Sequence, residues 1–245
     1  TENTISPTFV RLWKFVNNKD GTFGVGVRIG LGLEQSAAAA GDLDGDGDID
    51  LIVSGLSNLN SYLERYLNDG SGNFTGGAIG GIGFDNGSIA LGDLDGDGDL
   101  DLVTTGFNSG DFTESLRTWT NNGSGTFGGP AILPQGVAYG STSLGDVDGD
   151  GDLDIVATGV TNAISVYRLN LYRNNGSGGF LGPQSLGAGL YQSTSALGDI
   201  NGDGDLDLIT TGQDSGFTDH LDRWTNIGSA GNTAPPAPTG LSSSS

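Results

Sequence analysis

Nineteen of the thirty acidic residues in this 245-residue chain are aspartates gathered into four nine-residue stretches. These are residues 42–50 (DLDGDGDID), 93–101 (DLDGDGDLD), 146–154 (DVDGDGDLD) and 199–207 (DINGDGDLD). Carboxylates at this density repel one another at the separations a turn imposes, so the pattern makes physical sense around a cation. In D-x-D-G-D-G-D-x-D, side chains at positions 1, 3, 5 and 9 can converge, position 7 can offer its backbone carbonyl, and Gly at position 6 permits the sharp turn. The first expected ligand set is Asp42, Asp44, Asp46 and Asp50, with the carbonyl of Asp48. The second is Asp93, Asp95, Asp97 and Asp101 with Asp99, and the third is Asp146, Asp148, Asp150 and Asp154 with Asp152. The fourth is Asp199, Asn201, Asp203 and Asp207 with Asp205; Asn201 keeps an oxygen but drops one charge, so this site is expected to be the weakest.

All-oxygen ligation on a flexible Gly-rich loop suits Ca²⁺, about four ions in all, better than Mg²⁺, which demands a tight octahedron and keeps its waters. Transition metals want imidazole or thiolate, and these loops contain neither. An EF-hand would need Glu at the twelfth position, where the four copies hold Val53, Thr104, Ala157 and Thr210. Bound Ca²⁺ would offset the repulsion and stabilise the fold by linkage, about 1.4 kcal/mol per site at tenfold excess over Kd.

The bulk composition fits this picture. Charged residues make up only 16% of the chain, yet the net charge is −21. Four Ca²⁺, carrying eight positive charges, would bring −21 to −13. Charge of this sign argues against nucleic acid or an anionic membrane surface as partner. No apolar stretch reaches the ~18 residues of a membrane-spanning helix, so membrane insertion is not expected. The absence of Cys removes disulfides, thiolate sites and thiol catalysis. The chain opens at Thr1 with no Met and no signal-peptide pattern, as expected of a mature or trimmed form.

The elements that must position these loops repeat with them. The Gly before each loop stands at 41, 92, 145 and 198, a period of just over fifty residues that reads as a propeller, solenoid or array. A second marker, Leu-x-x-aromatic-x-Asn, usually followed by a Gly turn and Phe, shares the period. It occurs as Leu12/Phe15/Asn17/Phe23, Leu63/Tyr66/Asn68/Phe74, Leu116/Trp119/Asn121/Phe127 and Leu169/Tyr172/Asn174/Phe180, and stops short as Leu221/Trp224/Asn226. Each repeat reads as four strands. A small-residue strand (36–41, 88–92, 141–145, 193–198) precedes the loop and an apolar strand (51–53, 102–104, 155–157, 208–210) follows it. The aromatic segment is the third strand, and the fourth begins near the Phe. Gly, 46 residues of 245, is too frequent for stable helix. The expectation is an all-β propeller of four-stranded blades, small residues crowded at the axis and aromatics packed between blades.

These residues carry a resemblance. Phe-Gly, a small-residue strand, then Gly-Asp-x-Asn/Asp-Gly-Asp-Gly-x-x-Asp-Leu-Ile/Val is similar to the FG-GAP repeat, also called the VCBS repeat, of integrin α-chain-like calcium-binding β-propellers. The resemblance covers residues 10–228. It implies a Ca²⁺-binding loop between the first two strands of each blade, on the ligand sets named above, and ligand binding on the opposite face. Integrin-like propellers have seven blades, and this chain has too few repeats for seven. The N-terminal fourth strand could complete the last blade. Otherwise four or five blades close in one chain, the chain belongs to a longer array, or a larger ring is completed by another copy as a homo-oligomer. Residues 1–230 form the repeat region. Residues 231–245 read as a Pro/Ser-rich linker whose APTGLS resembles the opening of a truncated fibronectin type III domain.

The expected function is a calcium-stabilised, secreted or cell-surface adhesion or binding module of a bacterial-type multidomain protein, its ligand a glycan or an extracellular protein. Loops 56–61, 107–114, 160–166 and 213–220, with 76–87, 128–140 and 181–192, vary between repeats and hold Asn, Ser, Tyr and Phe with few charges. An enzyme is not expected. The one His, His220, reads as a loop residue without a Ser or Cys partner pattern, and Glu2, Glu34, Glu64 and Glu114 are scattered. The alternatives are a polysaccharide-active lyase or hydrolase that would draw on these Glu residues, and a structural repeat that closes by oligomerisation.

Overall fold

Short β-prone runs punctuated by Gly turns give strands throughout, and among the described residues there is no helix. The computed structural model describes residues 11–80, 83–110, 112–161 and 166–226; the linker at 231–245 lies outside them. Three sheets are complete antiparallel meanders of four strands. The first is β3 (Glu34–Gly41), β4 (Asp50–Ser57), β5 (Asn60–Asn68) and β6 (Phe74–Ala78). The second is β7 (Asp85–Gly92), β8 (Asp101–Asn108), β9 (Thr113–Trp119) and β10 (Ala131–Leu133). The third is β11 (Ala138–Gly145), β12 (Asp154–Thr161), β13 (Val166–Tyr172) and β14 (Gln184–Gly187). Before them β1 (Arg11–Lys14) pairs with β2 (Val27–Leu31), and after them β15 (Tyr191–Gly198), β16 (Asp207–Gln213) and β17 (Asp219–Trp224) form a three-stranded sheet.

The expected order of strands holds in every repeat, with shifted bounds. The first strand starts two or three residues early, and the second runs seven or eight residues rather than three. The fourth strand begins at its Phe only in β6. Phe127 and Phe180 instead make isolated bridges to Asn121 and Asn174, ahead of β10 and β14. The N-terminal fourth strand, β2, pairs with β1 and does not complete the sheet of β15–β17. Among the described residues, then, there are three full blades, two partial ones and no ring closure.

The small-residue strands pack side by side, β3 against β7, β7 against β11 and β11 against β15. Their last residues show why they are small. A Cβ on Gly41, Gly92 or Gly145 would come within 2.6–2.7 Å of Leu100, Leu153 or Leu206, carried by the next repeat's acidic loop. The hydrophobic core lies between consecutive sheets. Leu43, Ile52 and Leu63 of one sheet meet Phe84, Leu102 and Trp119 of the next, and Val103, Leu116 and Leu133 then meet Ile155, Ala157 and Tyr172. Within the aromatic marker the Leu faces the following sheet and the aromatic faces the preceding one. Tyr66, Trp119, Tyr172 and Trp224 are accordingly buried, with the Trp119 and Trp224 indoles donating to Thr104 and Thr210. Phe15, on the outermost sheet, is 56% exposed, and so is Leu221 at the other end, at 55%.

Each marker side chain is thus worth as much as the neighbour it meets. Trp119→Ala is expected to cost about 3–5 kcal/mol, whereas Phe15→Ala costs less than about 1 kcal/mol. Thermal and urea unfolding of the two variants checks this; equal losses would contradict a core built between sheets.

Candidate metal centres

Each acidic loop follows from a first strand that ends in Gly and a second that begins with Asp at position 9. That Asp sits in the sheet, in register with the Gly: Gly41 pairs with Asp50, Gly92 with Asp101, Gly145 with Asp154 and Gly198 with Asp207. All four position-9 aspartates are fully buried. Their Oδ1 atoms accept from the backbone N–H of Asn68, Asn121, Asn174 and Asn226 at 2.7–2.8 Å. In the first three loops Oδ2 accepts from the position-2 N–H of Leu43, Leu94 or Val147 at 2.9–3.0 Å. Position 1 closes the loop on itself: Asp42 Oδ1 and Oδ2 accept from Gly45 and Gly47, and Asp93, Asp146 and Asp199 repeat both bonds. The glycines at positions 4 and 6 adopt φ of 75–97° in every copy, the left-handed region that a side chain disfavours.

Positions 1, 3 and 9 come together. In Asp42/Asp44/Asp50, Asp93/Asp95/Asp101 and Asp146/Asp148/Asp154, one oxygen from each residue lies within 4.8 Å of the others. Two oxygens bound to one Ca²⁺ at ~2.4 Å can be at most ~4.8 Å apart, so each triplet can hold a metal ion. The donor chemistry agrees. Asp44 Oδ1 and Asp95 Oδ1 are buried without a hydrogen-bond partner, as is Asp207 Oδ2 in the fourth loop. A buried carboxylate oxygen without a donor is costly, and a cation removes that cost.

The remaining expected ligands sit differently. Position 5 lies outside the triplets: Asp46, Asp97, Asp150 and Asp203 are exposed or half-buried and accept the position-7 N–H at 2.9–3.0 Å. Position-7 side chains turn away to the hairpin between the third and fourth strands. A Cβ on Gly70, Gly123 or Gly176 would meet the carboxylates of Asp48, Asp99 or Asp152. In the fourth loop the Asn201 amide donates to Asp203 Oδ2 at 2.8 Å, and Asp205 completes the same turn through its own N–H. Arg173 Nε lies 3.1 Å from Asp148 Oδ2, so the third loop already has a cation at its edge.

The marker Asn has a role that its recurrence signalled but its chemistry did not. Asn121 Nδ2 donates to the carbonyl of Leu43 at 2.8 Å, Asn174 to Leu94 at 2.7 Å and Asn226 to Val147 at 2.8 Å. Each bond joins one sheet to the acidic loop of the sheet before it. His220 is a strand residue of β17, not a loop residue. Its Nε2 lies 3.1 Å from Asp214 and its Nδ1 3.9 Å from Asp222, across the β16–β17 hairpin. Glu34, Glu64 and Glu114 stand on β3, β5 and β9 of two sheets, and Glu64 is engaged by the Tyr66 hydroxyl; Glu2 lies outside the described residues.

Repeated four-stranded meanders stacked face to face, each with an oxygen-lined loop between its first two strands, define an array of propeller-blade type. A sequence model of the FG-GAP-like repeat matches residues 42–104, 107–157 and 158–210, and the chain belongs to that family. No curated protein matches the chain. Among solved structures, an Agrocybe aegerita lectin described as recognising non-reducing terminal N-acetylglucosamine is similar, with a TM-score of 0.58 at 20% identity. That likeness covers 94% of this chain and 60% of the lectin, so the chain spans well under two thirds of the lectin's length. The V. cholerae biofilm matrix protein Bap1 is also similar, with a TM-score of 0.37 at 17% identity over 78% of this chain and 37% of Bap1. The lectin likeness shows a shared fold.

Two expectations test the loops. Ca²⁺ at hundredfold excess over Kd should raise stability by about 2.7 kcal/mol per site. Asp44→Asn removes an unpaired buried charge, so it should stabilise chelator-treated protein while reducing the gain from Ca²⁺; calorimetry with and without chelator reads both signs. The second is pH dependence. Without a cation, burial first and neighbouring carboxylates second hold Asp44 above the usual carboxylate value. Burial likewise raises Asp101, Asp148 and Asp154. Between the unfolded value near ~3.9 and these raised values, the native state binds more protons than the unfolded chain. These four groups therefore contribute stability to chelated protein that is lost as pH rises through that window, opposite in sign to Asp20, Asp69 and Asp214, which hydrogen bonds hold below the usual value. Bound Ca²⁺ favours the ionised form, so with excess Ca²⁺ acidification through the same window should lower Tm.

Proposed function

We propose that the chain is a calcium-stabilised, extracellular binding module whose ligand is a glycan or an extracellular protein, with recognition on the rim opposite the acidic loops. The observation that carries this reading is the division between the two ends of each sheet. One end holds the same acidic turn in every repeat, closed by its own hydrogen bonds and, in three of the four, grouped so that a metal ion could be held. The other end holds side chains that change from repeat to repeat on a fixed scaffold, the usual setting for recognition.

Apolar side chains also project from that second rim. The hairpins between the second and third strands carry Leu59 at 83% exposure, Phe112 at 77% and Phe217 at 74%. All three adopt φ of 58–64°, so the turn itself pushes them outward. Exposed apolar tips repeated on one rim are suited to contact with a ligand. A secreted or cell-surface location would let loops with Kd near ~10⁻⁴–10⁻³ M, the range of extracellular Ca²⁺ modules, stay filled. The proposal assigns no catalytic step to the chain.

Glycan and extracellular-matrix-protein arrays probed with and without Ca²⁺ test the function. Ca²⁺-dependent binding to at least one ligand class is expected, and silence on both arrays would refute the reading.

A further inference from the structure

Each first strand of a sheet begins with a built-in irregularity. Glu34 pairs with Leu56 but Ala37 with Ser54, so three steps on β3 oppose two on β4. The same bulge recurs at Asp85/Ser88, Ala138/Ser141 and Tyr191/Thr194. Opposite it stands a Gly in every repeat. A Cβ on Gly55, Gly106, Gly159 or Gly212 would come within 2.6–2.8 Å of the carbonyl of Glu34, Asp85, Ala138 or Tyr191. The bulge turns one residue per repeat into the left-handed region: Gln35 (φ 49°), Asn86 (51°), Tyr139 (53°) and Gln192 (47°).

Gly adopts this conformation without strain, and the chain uses Gly for it in every acidic loop. At these four equivalent positions it keeps side chains instead, and keeps different ones. Strained backbone that carries a side chain where Gly would be easier marks a side chain with a use. Bulges at sheet rims commonly serve to re-aim a side chain. Here all four are aimed at one place. Gln35, Asn86, Tyr139 and Gln192 line a single open cavity of about 240 Å³, with Ser36 and Ser193 between them. Because the four first strands are neighbours, this cavity lies where the sheets converge, at the end away from the acidic loops.

No charged side chain lines the cavity, whose surface mixes carboxamides and hydroxyls with apolar atoms. Asn86 Nδ2 donates to Gln35 Oε1 at 3.0 Å and to Asp85 Oδ1 at 2.7 Å. Asp85, buried behind the lining, also accepts from the Ser61 hydroxyl at 2.7 Å, so both its oxygens are engaged. The Tyr139 and Tyr191 rings stand 5.3 Å apart and offer an aromatic face beside the amides. With both Asn86 N–H groups spent on these bonds, Asn86 offers its Oδ1 as acceptor and Gln35 its Nε2 as donor; such donors and acceptors suit sugar hydroxyls, and an aromatic face suits the C–H face of a sugar ring. The volume is below the ~300 Å³ at the low end of ordinary ligand pockets, room for one ring.

We propose that this mouth binds a single neutral sugar unit, hydrogen-bonded by Gln35, Asn86 and Gln192 and stacked on Tyr139. The inference rests on the binding-module reading and narrows it to one ligand class and one site. The test uses the full chain saturated with Ca²⁺, a panel of methyl glycosides of neutral and acidic monosaccharides, and the variant Gln35→Gly/Asn86→Gly/Tyr139→Gly/Gln192→Gly. Saturation-transfer NMR and calorimetric titration should find a neutral glycoside bound by the native chain, and the variant should bind it at least about tenfold more weakly. Asn86→Gly also strips a donor from buried Asp85, so the pair Gln35→Gly/Gln192→Gly, which leaves Asp85 engaged and relieves the left-handed backbone, is carried alongside and should bind the glycoside more weakly with its Tm unchanged or higher. The proposal is overturned if no neutral glycoside binds, if binding is confined to acidic sugars, or if both variants bind as the native chain does. Array binding that survives the four substitutions would leave the module reading standing and remove the mouth as its site.

Discussion

The structure depends most on the buried carboxylate at position 9 of each acidic loop. Asp50, Asp101, Asp154 and Asp207 have no exposure to solvent, yet each is anchored by a backbone N–H at or just past the end of the third strand of its own sheet. In three of the four a second N–H comes from the loop itself. One side chain thereby fixes the loop, the start of the second strand and the end of the third. Charge-assisted bonds of this kind are among the strong ones, and a buried charge without them would be prohibitive. The loop's shape is therefore held by its hydrogen bonds alone, and a cation would enter a cradle that already exists.

From that carboxylate the order spreads to the neighbouring sheet. The Asn whose N–H reaches the position-9 oxygen also sends its side-chain amide to the loop carbonyl of the preceding repeat. Acidic loop, third strand and previous loop are one connected unit, stacked above the Leu and aromatic contacts between sheets. Each repeat leans only on its neighbours, as in other repeat arrays. The ends of the described array show this directly. Asn68 has no preceding acidic loop and donates only within its own sheet, to Ile49, and Phe15 and Leu221 stay half-exposed where their counterparts are buried.

Much of this was legible in the sequence because it is written in residue type. Asp at fixed spacing, Gly where the turn needs positive φ, and Leu and aromatic residues at a shared period name the loops, the family and the core faces. What escaped is written in geometry. One such feature is the direction of the position-7 side chains, of which only the carbonyl was expected to bind: the close approach of Gly70, Gly123 and Gly176 shows the carboxylates facing another hairpin. Whether β2 would join β1 or β17 depended on which core it enters, and Leu31, packed with Leu12 against Tyr66 of the β3–β6 sheet, commits it to β1. His220 read as a loop residue because the polar run around it resembles a turn, yet its pairing with Gly212 places it in β17. The bulges are hardest to read, since Gln and Tyr carry no mark of the left-handed region and Asn, which does, stands at only one of the four positions.

The two ends of each sheet face opposite demands, and the chain meets them with opposite uses of Gly. In the acidic turns Gly takes up the left-handed conformations, and the carboxylates are free to keep the same positions in every copy. At the other rim Gly stands opposite the bulge, where it makes room, and the strained conformation falls to a residue with a side chain. Repetition at the metal end makes a rigid base whose geometry does not vary from blade to blade. Upon that base the same backbone distortion can present Gln, Asn or Tyr without altering the fold, because the distortion is set by Gly55, Gly106, Gly159 and Gly212 and not by the residue displayed. A repeat so built can change what it displays one residue at a time while its loops and core stay fixed.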